Sequence, residues 1–158
     1  MTEATATDAD LRVITINRTF DAPRELVFKA WTDPVELAKW WGPKYFTNPV
    51  CEVDPRVGGK LRIVMRGPDG GEHPMWGVFQ EFMPPARIVF TNIAVDANDN
   101  PILDGLTTVT FADHGGKTRM TLHTIAVGLV EGAAQMLAGM EAGWTQSIDK
   151  LEALLTAG

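Results

Sequence analysis

The chain carries one cysteine, Cys51, in 158 residues, so it can close no internal disulfide and build no multi-thiolate zinc site. Cationic runs are missing too. Fourteen Lys and Arg stand against twenty Asp and Glu, a formal charge of -6, and that sign repels a phosphate backbone, which removes nucleic acid as an expected partner. No apolar run approaches the roughly 18 residues of a membrane span. Met1 to Asp10 is too polar and too acidic for a secretory leader. These absences describe a cytoplasmic protein with a disordered tail over residues 1–10 and one domain over residues 11–158.

Catalytic groupings are also scarce. His73, His114 and His123 stand far apart and share no metal-ligand or triad spacing, so neither a metal nor a cofactor is expected. His114 sits in a turn beside two glycines and His123 alternates out of phase with Met120 and Leu122, which places both toward water. His73 follows a hairpin. Glu52, Asp54 and Arg56 share one strand face as a surface ion-pair cluster, and Cys51 beside them has no His–Asp company to activate it.

What the sequence does have is punctuation and periodicity. Asp21 is placed to cap a helix opened by Pro23, with Leu26, Val27, Ala30 and Trp31 as its apolar stripe. Asp33 and Pro34 repeat that signal for a second helix, whose face is Leu37, Trp40 and Trp41 and whose stop is Gly42-Pro43. Seven strands are expected around and after these helices: 11–20, 47–53, 61–66, 74–83, 87–94, 106–113 and 117–124. Most are adjacent in sequence and joined by short turns, which predicts an antiparallel, meander-like sheet. Leu137, Met140, Trp144, Ile148, Leu151 and Leu155 then follow helical spacing on a rod expected over residues 131–156. Gly132, Gly139 and Gly143 each cost that rod about 1 kcal/mol relative to alanine. Either the backbone approaches a neighbour there, or the helix gives up side-chain volume to leave space beneath it.

Several short strings carry a family resemblance: Phe20-Asp21-Ala22-Pro23, Ala30-Trp31, Asp33-Pro34, Trp40-Trp41-Gly42-Pro43, Asp54-x-Arg56-x-Gly58-Gly59, Gly77-x-Phe79, Pro84-Pro85-x-Arg87 and Gly143-Trp144. In this order the chain resembles the SRPBCC (START and Bet v 1-like) superfamily, in the branch named for the activator of the heat-shock chaperone ATPase. The resemblance implies an α+β helix-grip fold, a curved seven-stranded antiparallel sheet holding a long C-terminal helix over an apolar cavity. Its implied cavity residues are Trp41, Met65, Trp76, Phe90, Met120, Met136, Met140 and Trp144, with the face of Trp76 left undecided by strand parity. Met65, Met75, Met83, Met120, Met136 and Met140 are read as interior, where thioethers fill irregular space.

Three functions follow from this reading. One is binding of a small apolar or aromatic ligand. Another is a cyclase- or dehydratase-type enzyme acting on a polyketide-like substrate, which requires a buried titratable group. The third is a chaperone-associated partner module, weakened because the activator itself carries a further N-terminal domain. Exposed tryptophan surface would equally serve a homodimer contact.

Overall fold

Residues 11–157 are described by the structure, a computed structural model; the tail expected over residues 1–10 lies outside them. Strand β1 (Leu11–Phe20) is followed by helices α1 (Arg24–Thr32) and α2 (Pro34–Leu37). Strands β2 (Thr47–Val53), β3 (Lys60–Arg66), β4 (Glu72–Met83), β5 (Arg87–Val95), β6 (Pro101–His114) and β7 (Lys117–Gly128) come next, and helix α3 (Ala133–Ala157) ends the chain. The sheet order is β1-β7-β6-β5-β4-β3-β2, with every pair antiparallel. Strands β2 to β7 form a meander, and β1 pairs with β7 at the far edge. The two short helices carry the chain from that edge to the other, and they pack on the same face as α3.

Local rules hold in most places, and packing overrides them in a few. Asp33 caps α2 as expected, its Oδ1 accepting from the Val35 amide at 2.9 Å. Asp21 does not cap α1. The capping position is Pro23, which has no side-chain acceptor, and its carbonyl instead takes the Leu26 and Val27 amides. The buried stripe of α1 also turns away from Leu26 toward Phe28, because Phe28 meets Phe82 and Phe111 edge-on at 5.4 and 5.5 Å. Helix α2 stops at Leu37, leaving Trp40 and Trp41 in a turn rather than on a helix. Trp40 is fully buried and its Nε1 donates to the Ala30 carbonyl at 2.9 Å. That bond ties the turn to α1.

Strands β6 and β7 run longer than their composition suggests. Their ladder continues to the Leu103–Gly128 pair, because Leu103 packs with Ala126 and with Leu137 of α3. The loop before β6 is shortened to match, with Asp96 Oδ1 accepting from the amides of Asn98 and Asn100. Gly132 lies in the turn ahead of α3 with φ +92°, so only Gly139 and Gly143 interrupt the helix itself. Two of the six methionines expected inside are exposed, Met83 at the end of β4 and Met136 on α3. None of the described helices is long and apolar enough to cross a membrane.

Candidate functional site

Helix α3 is held to the rest of the molecule by contacts on either side of its middle. Toward its end, Trp144, Ile148 and Leu151 join the main core, and Arg18 of β1 reaches Asp149 and Glu152 at 3.0 and 2.7 Å. Toward its start, Leu137 packs on Leu103 and Ala126 in a separate small cluster. The segment between 42 and 46 closes the flank: Lys150 Nζ donates to the Pro43 carbonyl at 3.2 Å, and the Lys44 amide donates to Gln146 Oε1 at 3.0 Å. Between these attachments lies a cavity of about 420 Å³, a size found in ligand pockets, which run from roughly 300 to 1,000 Å³.

The two helical glycines sit over this space. Gly139 and Gly143 both line it. A Cβ added at Gly139 would meet nothing within 4 Å, and one at Gly143 would meet only Pro43 Cγ, at 3.6 Å. Close backbone approach therefore does not explain these glycines; both stand beside open space. Gly42, at the opposite wall, has φ +96°, a backbone conformation that favours glycine, and a Cβ there would come within 2.9 Å of the flexible Met65 Sδ.

Of the eight residues the resemblance implied, Trp41, Met65, Met136, Met140 and Trp144 line the cavity. Trp41 and Trp144 meet edge to face at 5.2 Å and form its aromatic end. Phe90 and Met120 face the same side of the sheet but are sealed in the solid core. Phe90 is covered by Trp31, whose ring centroid is 6.3 Å away, and Met120 is paired with Phe111. Trp76 points to the other side of the sheet. Its β3 partner is Arg62, whose guanidinium lies 4.9 Å from its ring centroid, a stacking that keeps the indole on the outer surface. Strand parity left Trp76 undecided because counting by twos joins it to Phe82; a bulge between Phe79 and Glu81 puts Phe82 on the inner side and leaves Trp76 on the outer.

Four polar residues accompany the apolar lining: His73, Asn92, Gln135 and Ser147. His73 borders the opening beside Phe46, with ring centroids 5.9 Å apart, and is the one titratable side chain among the lining residues. Ser147 Oγ is turned back to the Gly143 carbonyl at 3.0 Å. Asn92 is only 7% exposed and stands in the inner-face series Ile88, Phe90, Asn92, Ala94. A lone amide in an otherwise apolar alternation is a signal readable in the sequence.

A second groove of about 380 Å³ lies outside α1 and α2, lined by Leu26, Lys29, Ala30, Glu36, Lys39, Leu154 and Leu155. Three of those seven side chains are charged, and covering them with an apolar ligand would cost solvation that the groove does not return. Among the described residues no three His, Cys, Asp or Glu side chains gather as a metal site. Cys51 is not poised for chemistry. Burial, followed by the charges of Asp33 and Glu52, pushes its thiol up to about 11, so it is protonated at neutral pH. Alkylation of Cys51 by iodoacetamide at pH 8 is expected to run about a hundredfold slower in the folded protein than in urea, following the thiolate fraction. Equal rates in the two states would contradict that burial. The same shift predicts stability that is complete at neutral pH and declines as pH rises from about 9 to about 11, since the unfolded thiol ionises first.

The chain matches a family model described as activator of Hsp90 ATPase homolog 1-like protein over residues 21–156. Among solved structures it is similar to a protein of Chromobacterium violaceum, at 32% identity and TM-score 0.78, covering 90% of this chain and 96% of that one. It is similar as well to a protein of Arthrobacter aurescens, at 30% identity and TM-score 0.78, covering 99% and 94%. The AHSA1 protein of Silicibacter pomeroyi shares 26% identity at TM-score 0.79, covering 92% and 99%. No curated protein matches the chain.

Proposed function

Since the chain belongs to the activator of Hsp90 ATPase homolog 1-like family, we propose that it binds a small apolar or aromatic ligand between its sheet and α3. The observation that carries this reading is the cavity of about 420 Å³ under Gly139 and Gly143, walled by Trp41, Trp144 and methionines. Indole rings supply large, rigid contact area at the cavity's end. The thioethers of Met65, Met75 and Met140 adapt to a guest's outline. With His73 as the one titratable group in the lining, the arrangement supports binding over acid–base turnover, which needs a proton donor and acceptor placed on the substrate.

A thermal-shift screen of aromatic and acyl compounds tests this. A ligand held at about 100 times its dissociation constant stabilises the fold by roughly 2.7 kcal/mol, and its arrival changes the emission of Trp41 and Trp144. A broad library that moves neither the melting temperature nor the tryptophan emission would defeat the reading.

A further inference from the structure

We infer that the ligand is uncharged and presents a hydrogen-bond acceptor, such as a ketone or amide carbonyl, to the Nδ2 group of Asn92; this rests on the cavity reading above and names the chemistry it selects. Asn92 of β5 is buried but lines the cavity. Its place is made by Gly105, its partner on β6, where a Cβ would come within 2.6 Å of Nδ2. The Oδ1 atom is already committed, accepting from Thr107 Oγ1 at 2.8 Å. Thr107 Oγ1 in turn lies 2.9 Å from Thr124 Oγ1. Both threonines are fully buried, and they face each other across β6 and β7.

The direction of this relay fixes the amide. With Thr124 donating to Thr107 and Thr107 donating to Oδ1, each hydroxyl proton has an acceptor. Flipping the amide makes Nδ2 donate to Thr107 and Thr107 donate to Thr124, whose own proton then has no acceptor in a dry site; buried donors are rarely left so. The relay therefore holds Oδ1 inward and leaves Nδ2, which has no partner among the described residues, as the donor offered to the cavity. No lysine or arginine lines the space. His73 stands at the opening, so a carboxylate carried in to Asn92 would meet only a neutral amide there and lose its hydration, whereas a neutral carbonyl would satisfy the amide.

Three probes sharing one skeleton test the assignment: 2-acetylnaphthalene, 2-ethylnaphthalene and 2-naphthoate, titrated calorimetrically at pH 7 into the wild type and Asn92→Leu. The ketone is expected to bind the wild type at least about tenfold more tightly than the hydrocarbon, because the hydrocarbon leaves a buried donor unpaired. The naphthoate should be the weakest of the three. In Asn92→Leu the preference for ketone over hydrocarbon should vanish while hydrocarbon binding persists. Equal affinity of ketone and hydrocarbon in the wild type, tightest binding by the naphthoate, or a ketone preference that survives in Asn92→Leu would overturn the assignment and leave the cavity reading standing. Failure of all three to bind the wild type would overturn the assignment, while the cavity reading stands or falls by the broad thermal-shift screen. Should Asn92→Leu not fold, the wild-type ratios alone decide.

Discussion

Replacing Gly139 and Gly143 together with leucine is expected to raise the melting temperature and abolish ligand binding. The stabilisation comes from helix propensity, since glycine inside a helix is about 1 kcal/mol worse than a good helix former, and nothing near either Cβ position forbids a side chain. At this chain length each kcal/mol corresponds to roughly 2–4 °C. Binding is lost because two isobutyl groups bring a cavity of about 420 Å³ below the roughly 300 Å³ at which ligand pockets begin. A ligand found in the thermal-shift screen should weaken by at least about a hundredfold, or some 2.7 kcal/mol, read by calorimetry beside a circular-dichroism melt. Stability and binding thus move in opposite directions. Unchanged affinity would place the guest elsewhere, and a lower melting temperature would mean the space beneath α3 is already filled.

The second large effect lies in the sheet. Gly77→Ala is expected to cost at least about 3 kcal/mol, the upper range for overpacking a well-filled interior, a large part of the roughly 5–15 kcal/mol by which domains are stable. A Cβ at Gly77 would sit well inside van der Waals contact distance of the Thr91 carbonyl oxygen. That oxygen belongs to the backbone of β5, paired on both sides within the sheet, so it cannot step aside as a side chain would. The neighbouring Val78 amide donates to Thr91 Oγ1 at 2.9 Å instead of continuing the ladder, which marks the strands' close approach here. A urea titration of the variant measures the loss. Wild-type stability would show that β4 and β5 can separate at this point without penalty.

Much of the architecture was legible because its signals are local. Alternation in β1 puts Ile14 and Phe20 inside, the Asp33–Pro34 pair opens α2, and Trp144, Ile148 and Leu151 fall on the buried side of α3. Errors arose where a distant contact outweighed a local cue. Phe28 displaced Leu26 from the buried face of α1 because partners on β4 and β6 were waiting for it. The face of Trp76, left open by parity, is outward with Val78, where Arg62 of another strand stacks on it. Leu103 drew β6 past its turn-like residues because Leu137, on α3, completes its packing.

By itself, the sequence determined the order of the elements, the face most strands bury and the two glycines at which α3 carries no side chain. Those properties depend on backbone preference and on spacings of two to four residues. The tertiary structure alone decided that the missing side chains overlie a void, that Trp41 meets Trp144 at its end, and that Asn92, in its lining, accepts from Thr107 through Oδ1. Each of these is a distance between side chains on different elements, from 15 positions apart for Asn92 and Thr107 to 103 for Trp41 and Trp144, taken as 144 less 41. Only the packing of the whole chain sets such a distance.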